Sequence, residues 1–140
     1  MTVQFYKIDE ISEEKLEFVV ISTIFNGKWL YVRHKERKSW EIPGGHRENN
    51  EGIEFSAKRE LLEETGAIKF ILHPVCDIAI FKSTRKQFGR LFSCEIIELG
   101  SLPNSEICEV EFFESLPDNL TYPEVQPYLH KKILSLKYWE

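Results

Sequence analysis

A chain of 140 residues that is 42% hydrophobic and 29% charged has enough apolar surface to build a core, and its composition is that of an ordinary soluble globular protein. A net charge of −5 and a pI near 5.5 argue against a general binder of nucleic acid polymers, which would normally be basic. No apolar run approaches the ~20 residues that span a bilayer, and the N-terminal MTVQFYKIDE lacks a basic-then-apolar leader, so no membrane partner and a cytoplasmic location are expected.

Cys76, Cys94 and Cys108 form no C-x-x-C and read as small core residues in a reducing compartment. No repeat, low-complexity tract or Gly/Ser linker divides the sequence, so a single domain over residues 1–140 is expected.

Taken in order, Thr2 to Ile8 has strand character and Asp9 to Lys15 reads as a polar connection. Phe18 to Phe25, FVVISTIF, is β-branched and aromatic and reads as a buried strand. Asn26-Gly27 is a strong hairpin signal, and Trp29 to Arg33 returns as the partner strand. Alternation puts Trp29, Tyr31 and Arg33 on one side of it and Leu30 and Val32 on the other. The basic stretch His34 to Lys38 reads as a loop leading into Trp40-Glu41-Ile42-Pro43-Gly44-Gly45.

A helix is expected from about Ile53 to Thr65, with no proline inside it and Gly66 placed for a left-handed C-terminal cap. Beyond it, Ile68 to Leu72 and Val75 to Lys82 read as strands broken at His73-Pro74. Thr84 to Gly89 reads as a polar turn, Arg90 to Leu99 as a further strand, and Glu109 to Phe113 as the last. A C-terminal helix is expected to about Tyr138, with Pro127 in its first turn and Leu129, Ile133 and Leu136 at helical spacing. Strands on both sides of a central helix, with a second helix at the end, indicate an α/β or α+β layered domain.

The chemistry concentrates between Gly45 and Ala67. Glu60, Glu63 and Glu64 are spaced i, i+3, i+4 and share one arc of the helix, while Ala57 and Leu61 lie on the adjoining arc and can pack inward. Each like-charged pair at this spacing costs ~0.2–0.5 kcal/mol even when exposed. Arg59, four residues before Glu63, relieves part of that repulsion but cannot neutralise three carboxylates. A hard divalent cation, Mg²⁺ or Mn²⁺, can. Upstream, Pro43-Gly44-Gly45 is a turn whose backbone can approach such a cation or a phosphate closely. A lone E-x-x-E-E is usually a solvated acidic face, but the wider pattern of fixed residues should arise by chance in on the order of one in a million chains of this size.

That wider pattern resembles the signature of the Nudix hydrolases, G-x5-E-x7-R-E-U-x-E-E-x-G-U with U aliphatic. It is met at Gly45, Glu51, Arg59, Glu60, Leu61, Glu63, Glu64 and Gly66, with the smaller Ala67 at the final aliphatic position. W-x-I-P-G-G before the box and E-x-x-E-V-x-F-F late in the chain extend the resemblance beyond residues 45–67. It implies a Nudix-like α/β/α sandwich, a mixed sheet between helices. It also implies metal-dependent hydrolysis of a nucleoside diphosphate linked to another group.

Residue by residue, the resemblance places Glu60, Glu63 and Glu64 as metal ligands, the Gly44 carbonyl as a backbone ligand and Arg59 as the group orienting the carboxylates. Glu51 would support the loop or bind a further metal through water. Glu60 is one candidate for the base. A further acidic ligand is expected from Glu106, Glu109, Glu111 or Glu114, with Glu106 favoured because it lies in a loop and not on a strand.

Arg33, Lys35 and Arg37 are candidate phosphate contacts. Tyr122, Phe88, Phe81, Trp29 and Asn119 are candidates near the base, Asn119 as a reader of it. His34, His46, His73 and His130 show no i,i+4 pairing, so no zinc site is expected, and with no G-x-S-x-G or other nucleophile motif no Ser or Cys nucleophile is expected.

The short chain and its W-x-I-P-G-G segment look most like MutT-like nucleoside triphosphate pyrophosphohydrolases, including those acting on oxidised guanine nucleotides such as 8-oxo-dGTP. Two alternatives stay open: another Nudix branch acting on sugar nucleotides or dinucleotides, and a non-catalytic nucleotide-binding module. The sequence leaves open whether the protein is a monomer or a homodimer.

Overall fold

A computed structural model describes residues 1–136. Seven strands form one mixed sheet: β1 (Thr2–Tyr6), β2 (Phe18–Phe25), β3 (Lys28–His34), β4 (Gly44–His46), β5 (Ala67–Lys82), β6 (Arg85–Leu99) and β7 (Ile107–Phe113). The spatial order is β1-β5-β6-β2-β3-β7, with β4 pairing β2 off that path. Among these strands only β2 and β6 run parallel; the other strand ladders are antiparallel. The β2–β3 hairpin turns at Asn26 and Gly27, whose φ values of 51° and 76° are those a two-residue primed turn requires.

Two helices cover opposite faces of this sheet. Alternation along β2 and β3 sends Val19, Ile21, Leu30 and Val32 to one side, where they pack with Ile53, Ala57 and Leu61 of α1 (Ile53–Thr65). The other side takes Phe18, Trp29 and Tyr31, packed with Val125 and with Leu129 and Ile133 of α2 (Gln126–Leu136). The expected mixed sheet between helices is therefore present, as is the inward arc of Ala57 and Leu61. The expected end of α2 near Tyr138 lies outside the described residues. α1 stops at Gly66, which has φ 78° and donates its N–H to the Leu62 carbonyl at 2.9 Å.

Beyond shifted strand ends and the short strand β4 where a turn is expected, the sheet differs from expectation in two ways within the β5–β6 hairpin. His73-Pro74 does not break the chain into two strands, because β5 runs continuously and absorbs the irregularity as a bulge. Pro74 pairs with Phe92 and Cys76 with Leu91, so Val75 is the extra residue. The consequence is a change of face: Phe70 and Leu72 pack on the α1 side, whereas Cys76 and Ile78 pack on the α2 side. Pro74 is tolerated because β1 pairs only with Asp77–Phe81, leaving the outer edge of β5 unpaired at the proline. The second difference is the turn. Lys82 pairs with Arg85, so the turn is only Ser83-Thr84 and the polar residues after it already belong to β6. Their polarity reflects an exposed hairpin tip.

One buried ion pair ties the far side of the sheet together. Asp77 is 0% exposed and its Oδ1 lies 2.6 Å from Arg90 Nε. The Asp9 N–H donates to Asp77 Oδ2 at 3.1 Å, and the Asp9 carboxylate lies 3.2 Å from Arg90. The chain after β1 is thereby latched to β5 and β6. Removing one partner of a buried pair strands the other, so Asp77→Ala should lower the free energy of unfolding by ~3–5 kcal/mol. The largely exposed Asp9 carboxylate should matter by less than ~1 kcal/mol in Asp9→Asn. Urea unfolding of both variants measures the difference, and equal losses would contradict the latch.

Candidate active site

The site opens where the sheet forks. One edge of β2 is shared by two strands: Thr23–Phe25 pair with β3, whereas Phe18–Val20 pair with β4. β3 moves on to pair with β7, and the segment between β3 and β4 is held by a Val32–Glu41 bridge. A cleft of about 480 Å³ lies at this fork, with His34, Arg37, Glu41, Gly44, Gly45 and Glu106 among the residues lining its polar end.

The glycine turn is required sterically. A Cβ on Gly44 would run into the Val19 carbonyl, and one on Gly45 would fall on the Glu60 carboxylate. Without side chains here, β4 lies flat on β2 while α1 approaches from the other side. The Gly44 N–H then donates to Glu64 Oε1 at 2.9 Å, joining the turn to the helix.

The acidic arc of α1 is unevenly exposed. The side chains of Glu60 and Glu64 are 12% and 9% accessible, whereas Glu63 is 50% accessible. Arg59 gathers this charge. It lies 2.7 Å from Glu60, 3.3 Å from Glu63 and 2.9 Å from Glu51, and it donates to the His46 carbonyl at 3.0 Å. Glu51 also accepts from the Ser56 hydroxyl at 2.7 Å and the Glu48 N–H at 2.9 Å. The Arg59 hydrogen bonds hold the Glu51 carboxyl down at about 2, and those from Glu51 above all push the Arg59 guanidinium up.

The other two carboxyls behave oppositely. Burial raises Glu60 in spite of Arg59. Burial pushes Glu64 up to about 8, against the Gly44 N–H and with help from the charges of Glu60, Glu41 and Glu63. Their ionised forms are therefore poorly compensated by the protein alone.

That environment fits a divalent cation by donor chemistry: hard carboxylate oxygens beside a backbone turn with no side chains in the way. It is not a closed cage. Among the described residues, no three acidic or histidine side chains converge at metal-binding spacing, and Arg59 draws the Glu60 and Glu63 carboxylates toward itself. An open site of few carboxylates is the kind Mg²⁺ uses when substrate phosphates complete its coordination.

The remaining sequence candidates separate. Glu106 is exposed and lines the cleft, its carbonyl accepting the Lys35 N–H at 2.9 Å. Glu109 is paired with Arg33 at 2.9 Å, Glu114 lies 3.6 Å from Lys28, and Glu111 is exposed on β7. Arg33 is thus engaged by Glu109 and also donates to the Arg37 carbonyl at 2.9 Å. The Lys35 side chain is exposed. Arg37 does face the cleft, 2.6 Å from Glu41, with its guanidinium 5.7 Å from the centre of the Tyr122 ring. Asn119 donates to the Lys38 carbonyl at 2.8 Å and so fastens the loop before β4. Of the aromatic candidates, Tyr122 lines the cleft, Trp29 packs against His130 in the core, and Phe81 and Phe88 lie under Lys86.

Two residues were not singled out from the sequence. Glu41 is 8% exposed and presents one oxygen to Arg37 and the other to His34, at 3.4 Å. The same His34 Nε2 lies 3.6 Å from Glu64, so it sits between a carboxylate of the entry strand and one of the helix. The available signal was a charged residue set between Trp40 and Ile42 directly before the glycine turn. The pairing with His34 needed the fold, because it depends on the Val32–Glu41 bridge.

Comparison with known proteins agrees with this geometry. The NUDIX domain matches residues 15–133. YtkD of Bacillus subtilis (strain 168), provisionally named an 8-oxo-dGTP diphosphatase, is 41% identical over 66 residues, which is 47% of this chain and 41% of that protein. The 8-oxo-dGTP diphosphatase of Buchnera aphidicola subsp. Schizaphis graminum (strain Sg) is 38% identical over 53 residues, 34% of this chain and 41% of that one. The matches thus span about two fifths of the length of either relative. Among solved structures, a mutant of the Bacillus subtilis pyrophosphohydrolase BsRppH superimposes with a TM-score of 0.80 at 26% identity, covering 99% of this chain and 93% of that one. A UDP-X diphosphatase shares the fold, with a TM-score of 0.71 at 22% identity over 93% of this chain and 66% of that one. With most of its length matched, its signature residues in place and its sheet and helices arranged as in these neighbours, the chain belongs to the NUDIX family.

Proposed function

We propose that the protein is a divalent-metal-dependent hydrolase that cleaves a nucleoside triphosphate between the α and β phosphates, giving nucleoside monophosphate and pyrophosphate, with oxidised guanine nucleotides such as 8-oxo-dGTP among its substrates. The observation that carries this is the pair of sheltered carboxylates, Glu60 and Glu64, held against a side-chain-free glycine turn at the end of a nucleotide-sized cleft. The short matches to relatives named for 8-oxo-dGTP support the substrate class.

A bound Mg²⁺ or Mn²⁺ would supply charge neutralisation on the phosphate oxygens and polarise the attacking water. Glu60, Glu64 and the Gly44 carbonyl would hold it, with Glu63 and Glu106 as further donors. Arg59 positions the carboxylates. Glu60, one candidate for the base, would take the proton of the water as its oxygen bonds to phosphorus and the phosphoanhydride oxygen leaves with pyrophosphate. Arg37, fixed by Glu41 and Tyr122, offers a cation at the rim for a phosphate oxygen.

Glu64→Gln keeps the acceptor for the Gly44 N–H and removes the charge. Turnover should fall by at least ~10²-fold. The same variant has a second readout. In the metal-free fold, burial puts the Glu64 carboxyl at about 8, above the ordinary 4.5. The folded state then keeps a proton that the unfolded state has already released, so this group's contribution to stability declines as pH rises from about 4.5 to 8. At pH 8 without metal, Glu64→Gln should be more stable than wild type by over ~1 kcal/mol, with the gap closing toward pH 5. Undiminished turnover, or no stability gap at pH 8 in thermal unfolding, contradicts the assignment.

At saturating Mg²⁺, Glu106→Gln should lose more activity than Glu109→Gln, because Glu106 lines the cleft while Glu109 is held by Arg33. The reverse order would move the extra ligand onto β7. Products decide the reaction itself. Incubation of 8-oxo-dGTP and dGTP with Mg²⁺ should release pyrophosphate and monophosphate. Release of orthophosphate and diphosphate would refute the cleavage site, and activity confined to sugar nucleotides or dinucleotides would refute the substrate class.

A further inference from the structure

The cleft continues beyond its acidic end onto the α2 side of the sheet. There it is mainly apolar, with Phe18, Val20 and Ile80 on the sheet, Ile42 before β4 and Val125 and Leu129 opposite, and with Lys82 and Gln87 as its polar members. Such a slot suits the flat body of a nucleobase, and stacking alone binds every base with little discrimination. Discrimination must come from the few polar groups that reach it.

The amides near the slot can be accounted for one by one. Gln126 is buried and engaged at both ends of its amide: its Oε1 accepts the Tyr122 N–H at 2.7 Å and its Nε2 donates to the Trp40 carbonyl at 3.3 Å. Asn119 donates to the Lys38 carbonyl and is not among the residues lining the cleft. Gln87 differs. It is half-buried, lines the cleft, and stands opposite Ile80 in the β5–β6 ladder, so both present their side chains to the slot. Among the described residues its amide makes no hydrogen bond. A half-buried amide left without a partner in a binding slot is poised for one from a ligand.

We propose that Gln87 reads the edge of the substrate base and selects a purine oxidised at C8; this rests on the triphosphate hydrolase proposed above and names its specificity residue. An amide presents one donor beside one acceptor. The outer edge of guanine offers two acceptors, O6 and N7. Oxidation at C8 places a hydrogen on N7, and the edge then offers an acceptor beside a donor. The Gln87 amide matches both atoms of the oxidised edge, its N–H to O6 and its carbonyl to N7–H. Against unoxidised guanine the amide oxygen faces a lone pair, one hydrogen bond is lost, and a desolvated acceptor is left unmatched.

Binding to metal-free protein tests this without any turnover. Titration of 8-oxo-dGMP and dGMP, followed calorimetrically, should show wild type favouring the oxidised nucleotide by at least ~10-fold, as expected for a site that leaves a polar group unpaired with the wrong ligand. Gln87→Met, nearly the same size without the amide, should bring the two affinities within ~3-fold of each other by weakening the oxidised ligand. Gln87→Leu should do the same, and thermal melting of both variants establishes that the fold is kept. In kinetics the change should fall on KM for 8-oxo-dGTP, with kcat for dGTP little altered.

Equal binding of the two nucleotides by wild type, binding of neither, or a preference retained in a folded Gln87→Met protein each overturns the proposal. A clear preference in binding with no triphosphate turnover would instead refute the hydrolase activity and leave the role of Gln87 standing.

Discussion

Keeping two carboxylates of one helical turn out of water is the constraint on which the site depends. Glu60 and Glu64 are sheltered by the same contact that makes them useful, the close approach of α1 to β4 across Gly44 and Gly45. The protein compensates the two unequally. Glu60 is given Arg59, whereas Glu64 has the Gly44 N–H and a distant His34. What remains uncompensated drives both carboxyls toward protonation in the free protein. A ligand cation acting on that residual has a large differential effect, because the alternative state is a poorly solvated charge.

Arg59 sets how far the site can be assembled in advance. One guanidinium spans Glu51, Glu60, Glu63 and the His46 carbonyl, so loop, strand end and helix share one hub. That rigidifies the turn of chain between β4 and α1, which has no strand pairing of its own. The same hub holds Glu60 and Glu63 in the geometry of ion pairs. A divalent cation would therefore enter in competition with a guanidinium for Glu60 and Glu63.

The sequence showed α1 to the residue because three independent signals agreed there: helix formers without proline, an apolar arc at Ala57 and Leu61, and a glycine able to take φ 78°. It showed the β2–β3 hairpin for a similar reason. The β5–β6 hairpin was less legible. Proline and the run Arg85, Lys86 and Gln87 read as breaks, yet the ladder passes through both, since an edge position needs no N–H and a hairpin tip needs no apolar side chain. The site divides the same way. The box carboxylates announce themselves by spacing. Glu41, His34 and Gln87 do not, because each acquires meaning only from a partner or a cavity wall brought to it by the fork in the sheet.

That fork also orients the proposed substrate. Where β3 and β4 part, the cleft connects a polar end beside the carboxylates of α1 to an apolar slot on the α2 face. A nucleotide is amphipathic in the same sense, charged at its phosphates and flat and weakly polar at its base. Laid with its phosphates at the glycine turn, it meets Arg37 at the rim and places its base over Phe18 and Ile80. The reverse orientation would put phosphates in the apolar slot and strip them of water without a matching charge, which costs far more than any stacking returns. In an acidic chain, local geometry would thus have to bind an anion that the net charge of −5 repels at long range. Tight binding of the triphosphate would then draw on the cation and the rim arginine, while selectivity is left to the few polar atoms around the base.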